Sequence, residues 1–164
     1  ETISDVLDGV RDVTFTFIPR HEPDGFPYRW VQAGTPAADQ CVSEAGLVVT
    51  ATSSPAPILD ANNLRDNAII LAVGAHTADT RELSEDVLAS AQVVVEDLGA
   101  ARREAGDVAV GVEKRALEWD DVAVMADVVR GDVVLDPQRR VVFKTVGMPW
   151  EDLAVAQALV GRLS

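Results

Sequence analysis

Several things are scarce in this chain, and each scarcity closes off a class of protein. There is one cysteine, Cys41, so no internal disulfide can form, which suits a reducing compartment and a cytoplasmic location. Two histidines and that cysteine are too few and too scattered for a structural zinc site, and no metal is expected. No apolar run approaches the ~20 residues that span a bilayer. The opening residues lack the basic-then-apolar pattern of a signal peptide. Lysine and arginine form no cluster, and the formal charge is −13. That balance argues against nucleic acid or an anionic membrane as a partner. It is only a mild objection to a phosphate-bearing cofactor, because local donors matter more than net charge. There is no internal repeat and no low-complexity linker. Residue 1 is Glu rather than Met, so the chain is expected to be a piece of something longer.

What is present reads as one globular domain. The 164 residues are enough for a real core, and 48% of them are hydrophobic. The chain is organised around residues 47–76, LVVTATSSPAPILDANNLRDNAIILAVGAH. Two short apolar runs in it end in small residues, Thr50 to Ser54 after the first and Gly74 after the second. Such runs are what buried parallel strands look like. In open α/β sheets the ligand sits outside the carboxyl ends of the strands, where small residues let backbone N–H groups approach a phosphate or ribose. Two readings fit this pattern: neighbouring strand ends making part of a nucleotide site, or two ordinary core strands with polar turns.

The remaining segments alternate. Helices are expected at 2–9, 36–45 (with Cys41 a small buried hydrophobe and Val42 beside it), 84–90 with Ser84 as N-cap, 99–105 ended by Gly106, 119–129 and 150–163. Strands are expected at 13–18, 28–32, 92–96 and 141–146, with a loop at 21–27 and a partly helical connector at 58–64. Asp120 and Asp121 read as a helix N-terminus rather than an acid/base pair. The alternation predicts an α/β fold, a Rossmann-like mostly parallel sheet with flanking helices, truncated at its N-terminal side.

Five segments together carry a family resemblance: VVTATSSPAPIL, AVGA, RELSEDVLASAQVVVED, REAGD and VVFKTVGMPWEDLAVAQALV. In this order and spacing, from Leu47 to Val160, the chain resembles the ornithine cyclodeaminase/μ-crystallin family of NAD(P)-dependent enzymes; 10–20 matches its second Rossmann strand more loosely. The resemblance implies a partial NAD(P)-binding Rossmann-like domain over 1–148. It makes 149–164 a helix that in the family packs on a substrate and dimerisation domain. The implied cofactor is NAD or NADP. Arg20 and His21, after the 13–18 strand, lean towards the 2′-phosphate of NADP. The implied partners are a small amino or imino acid in the full-length parent and a second copy or a missing companion domain.

The family pattern implies cofactor contacts from Thr50, Ala51, Thr52, Ser53, Val73, Gly74, Thr145, Val146 and Gly147. If these residues are not contacts, Thr50, Thr52 and Ser53 are turn residues bonding their own backbone. Lys144 either faces the cofactor or is exposed like most strand lysines. The family's catalytic aspartate falls at His76. An imidazole can act as a base near neutral pH but supplies no fixed negative charge; otherwise His76 is a solvated loop residue. The family lysine aligns with Thr80 and the asparagine before AVG with Leu71. The Gly-rich fingerprint G-x-G-x-x-G is absent, as is a helix between the 13–18 and 28–32 strands. Two functions remain: the NAD(P)-binding domain of a cyclodeaminase or amino/imino-acid oxidoreductase, or a non-catalytic relative that serves as a nucleotide-binding or interaction module. The chain alone is expected to be inactive.

Overall fold

The computed structural model describes residues 14–18 and 29–163. Its strands are β1 (Thr14–Ile18), β2 (Arg29–Gln32), β3 (Leu47–Thr50), β4 (Ile69–Ala72), β5 (Ala91–Val95), β6 (Ala123–Val124) and β7 (Arg140–Lys144). Its helices are α1 (Pro36–Glu44), α2 (Glu85–Ser90), α3 (Leu98–Glu104), α4 (Gly106–Glu113), α5 (Met125–Arg130) and α6 (Pro149–Leu163). The described strands form one sheet in the order β2-β1-β3-β4-β7-β5-β6. From β3 to β6 every pairing is parallel, the α/β arrangement expected from the sequence. The expected helix at 2–9, the loop at 21–27 and the pair Arg20–His21 lie outside the described residues.

Local chemistry sets the element ends. Thr35 caps α1, its hydroxyl accepting from Ala38 N, and Pro36 supplies a first helical residue with no N–H to satisfy. Asp97 caps α3 by accepting from Ala100 N at 2.7 Å. Ser84 stands at the N-cap of α2, but its hydroxyl turns to the Asp86 carboxylate instead of a backbone N–H.

The core follows from register. Val48, Ile70, Val142 and Val93 are lateral neighbours on one face, all at most 3% exposed. They join Ala38, Cys41 and Val42 of α1, Val87 and Leu88 of α2 and Val108 of α4 in one cluster. The opposite face, with Val49, Leu71 and Phe143, is only half-buried, and Ile69 on it is exposed. Arg140 closes the lower edge. Its buried guanidinium donates to the carbonyls of Ala61, Leu64 and Arg65 and to the Ser90 hydroxyl.

Five expectations are corrected. The 13–18 strand exists, yet β1 runs antiparallel to both neighbours instead of parallel like a Rossmann strand. The link from β1 to β2 is shorter than the dozen or so residues a parallel crossover needs, so the chain returns antiparallel. Gly106 does not end the helical region: Ala105 alone leaves helical geometry (φ −85, ψ 81) and Gly106 starts α4. The helix expected over 119–129 is broken into a 3-10 turn at Trp119–Asp121, the edge strand β6 and the short α5. The β-branched Val122 and Val124 favour extended backbone there, and Ala123 and Val124 pair with β5. Asp120 and Asp121 therefore lie in the 3-10 turn, not at the start of an α-helix. Lys144, with exposure open to it as a strand lysine, is 1% exposed.

Helix α6 leaves the body of the domain. Trp150, Leu153, Val155, Leu159 and Val160 are between 49% and 66% exposed along it. Among the described residues no helix is long and apolar enough to cross a membrane.

Candidate functional site

The parallel register brings the carboxyl ends of four strands into one row: Thr50, Ala72 and Lys144 are successive neighbours, and Val95 pairs with Lys144. The segments leaving these ends hold a buried polar cluster. Its centre is Glu82, which is 0% exposed. One carboxylate oxygen accepts from Thr52 N at 2.6 Å; the other accepts from the Thr50 hydroxyl at 2.7 Å and Gly74 N at 2.8 Å. A buried carboxylate is tolerated only when its lone pairs are met in this way. Glu82 thus ties the loop after β3 to the loop after β4. The approach is close enough that a Cβ on Gly74 would collide with the Thr52 backbone and the Glu82 carboxylate, so only glycine fits.

Asp107, in the first turn of α4, supports Glu82 from behind. Its Oδ1 accepts from Glu82 N at 2.6 Å and Leu83 N at 2.8 Å. Its Oδ2 is buried without a hydrogen-bond partner and lies 3.8 Å from Lys144 Nζ. The ammonium of Lys144 donates to the carbonyls of Ala72 and Thr145, each at 3.0 Å. Burial pushes Asp107 up to about 6, against the pull of two backbone N–H groups and the Lys144 charge. Burial pushes Lys144 down, opposed by the charges of Asp107, Glu82 and Glu96. Each member of the pair is thus driven towards neutrality by desolvation and held charged by the other.

Glu96, directly after β5, makes a second clamp. It accepts from the Thr145 hydroxyl, from Val146 N at 3.0 Å and from Gly147 N at 3.1 Å. Gly147 has φ 80, the left-handed turn through which the chain leaves β7 for α6. Glu151 in the first turn of α6 is raised, mainly by partial burial and then by the Glu96 charge.

The residues expected at the site fall into two sets. Thr50, Thr52, Gly74, Thr145, Val146 and Gly147 are drawn together at the strand ends, and the donors named above are committed to Glu82 or Glu96. Thr52 also accepts from Ser54 N with its hydroxyl, the local turn bond considered from sequence. Ala51, Ser53 and Val73 face outward on the same rim. His76 is exposed, with Nδ1 2.7 Å from the Gly74 carbonyl. Leu71 is half-buried on the less covered face, and Thr80 sits in the turn after Gly74, its hydroxyl bonded to the Thr77 carbonyl.

Glu82, Glu96 and Asp107 were not singled out from sequence, although RELS, VVVED and REAGD contain them. The available signal was an acidic residue next to buried-strand or small residues, which must find donors if it folds inward. A separate groove of about 310 Å³, lined by Leu88, Val93, Leu117, Val133 and Arg139 among others, lies towards the opposite ends of β5 and β7. Among the described residues no group of three His, Cys, Asp or Glu could hold a metal ion.

A five-stranded parallel sheet with flanking helices and a polar row at its carboxyl ends defines the Rossmann-like α/β class. The ornithine cyclodeaminase/mu-crystallin family model matches residues 28–164, and the chain belongs to that family. It is 37% identical over 111 residues to the Delta(1)-pyrroline-2-carboxylate reductase 2 of Burkholderia ambifaria, covering 68% of this chain and 33% of that protein. Among solved structures it resembles a probable ornithine cyclodeaminase from Bordetella pertussis: TM-score 0.68, 33% identity, 77% of this chain and 41% of that one. It also resembles the iminosuccinate reductase of Paracoccus denitrificans in complex with NAD+: TM-score 0.67, 28% identity, 75% of this chain and 38% of that one. The chain therefore spans a third to two-fifths of the length of these relatives.

Proposed function

We propose that this chain is the nicotinamide-nucleotide-binding portion of an enzyme that acts on a small amino or imino acid, either an oxidoreductase or a cyclodeaminase. The observation that carries this reading is the row of strand ends at Thr50, Ala72, Lys144 and Val95, where loops with small residues are fixed from beneath. A relative of the same fold is solved with NAD+ bound. The rim residues Ala51, Ser53 and Val73 would touch the nucleotide directly, while Thr50, Thr52, Gly74, Thr145, Val146 and Gly147 would shape its bed. Bound there, the cofactor would accept or deliver a hydride at an amino-acid carbon. His76, exposed beside Gly74, would stand near the reacting centre as a proton acceptor. NADP is the preferred form in this reading, on the strength of Arg20 and His21, and the setting is cytoplasmic.

In the same reading 1–148 is the nucleotide domain and α6 is the arm that reaches a companion domain or a second copy, because its apolar residues lie exposed. Light scattering at micromolar concentration is expected to show self-association; a clean monomer would count against the arm.

The deciding measurement is a calorimetric titration with NADH and NADPH. Micromolar binding, tighter for NADPH, supports the reading; no binding at millimolar cofactor refutes it for this chain. The second reading, a relative without chemistry, draws on His76 standing where a carboxylate is expected. Turnover appearing only in His76→Asp would favour it; turnover in the parent that His76→Ala abolishes would exclude it.

A further inference from the structure

Asp107 and Lys144 are each 1% exposed, so neither can touch a ligand on the rim. As a stability device the pair is poorly made. Asp107 Oδ2 has no hydrogen-bond partner, and the ammonium stands 3.8 Å away instead of in contact. Buried ion pairs of this kind are often no better for stability than apolar residues of the same volume. Yet every link leads to the rim. Asp107 holds the backbone of Glu82, whose carboxylate holds Thr50, Thr52 and Gly74. Lys144 holds the carbonyls at the ends of β4 and β7. Suboptimal burial of charge directly beneath a site is where local stability is commonly given up for geometry.

We propose that Asp107 and Lys144 are positioning residues for a nicotinamide nucleotide: Asp107 fixes the backbone at Glu82, Lys144 beside it holds the carbonyls of Ala72 and Thr145, and together they set the spacing of the loops that close β3 and β4. This rests on the nucleotide reading above and adds to it a buried pair that acts without contacting the ligand. A role confined to capping the segment at Glu82 and Leu83 would need Asp107 Oδ1 alone and would leave Lys144 out.

The test is a double-mutant cycle read by the fluorescence enhancement of NADH on binding to the whole chain, beside thermal unfolding. Asp107→Asn keeps the acceptor for the two backbone N–H groups and removes the charge. It is expected to melt within about 5 °C of the parent while binding NADH about tenfold more weakly. Glu82→Gln is expected to weaken binding at least as much. Combining the two should cost little beyond Glu82→Gln alone, since one acts through the other. If Asp107→Asn does not fold, the NADH affinity of Lys144→Met is read in its place. Unchanged NADH affinity in the folded variant, or losses that simply add, would overturn the positioning role and leave the nucleotide reading intact. A parent chain that binds neither NADH nor NADPH would overturn both.

Discussion

Two carboxylates organise the strand ends, and they do so with the same chemistry in different surroundings. Glu82 and Glu96 each accept one threonine hydroxyl, from Thr50 and Thr145 respectively, and each accepts backbone N–H groups from a loop that leaves a strand. Glu82 is fully buried, spans the ends of two strands and rests on Asp107. Glu96 is 7% exposed and fastens the turn after β7 to the end of β5. Removing a carboxylate leaves its donors unpaired, and the penalty depends on whether water can replace it. The Glu82 cradle should therefore behave as part of the core, and the Glu96 clamp as part of the rim.

The largest expected effect is Glu82→Ala, which strands the Thr50 hydroxyl and the N–H groups of Thr52 and Gly74. It should destabilise by about 4 kcal/mol, read as a fall in the denaturant midpoint at unchanged m-value. Glu96→Ala should cost less, about 1–2 kcal/mol, because its donors lie nearer solvent. Equal losses would erase the distinction between the two carboxylates. The hydroxyls give a finer comparison. Thr50→Val should cost about 1–2 kcal/mol and Thr145→Val about half as much; the reverse order would mean that burial is not what separates them.

The last comparison is in pH. The folded-state value of Asp107, about 6, lies above its ordinary 3.8, so the folded chain binds that proton more tightly than the unfolded one. The stability it contributes is complete below about 3.8 and is lost as pH rises through about 6. Relative to Asp107→Asn, the parent should lose stability between pH 4 and pH 7. Glu85, held down to about 2 chiefly by Lys114, contributes in the opposite sense but only as pH falls below its ordinary 4.5 towards 2. A parent that instead gained stability against Asp107→Asn over that window would show that Lys144 outweighs desolvation.

The same contrast explains what could be read in advance. The parallel strands were legible because runs such as Leu47–Thr50 and Ala91–Val95 are apolar, β-rich and bounded by small or polar residues. The caps at Thr35 and Asp97 are local and follow from residue type. The carboxylate network was not legible, because Glu82 meets Thr50 and Thr52 across thirty or more positions of chain, and periodicity carries no information on such pairs. Helix propensity and spacing at 119–129 were outvoted by the open edge of β5, which offered Ala123 and Val124 a ladder. The exposed reading of Lys144 fails for a related reason: exposure is the rule for lysine, and the carboxylates of Asp107, Glu82 and Glu96 and the carbonyls of Ala72 and Thr145, gathered by the fold, make its burial tolerable.

One further consequence follows from the place of β7. It sits between β4 and β5 in the sheet, yet among the described residues it is the last strand in sequence. During synthesis β4 and β5 therefore lack their shared neighbour until residues 140–144 have emerged. Their inner edges stay open to wrong partners for that interval. Closing the sheet then requires residues 140–144 to pair with both β4 and β5, contacts distant in sequence of the kind that slows folding. Arg140 and Lys144, one at each end of that segment, hold it to the residues around β4, and Arg140 also bonds Ser90 before β5.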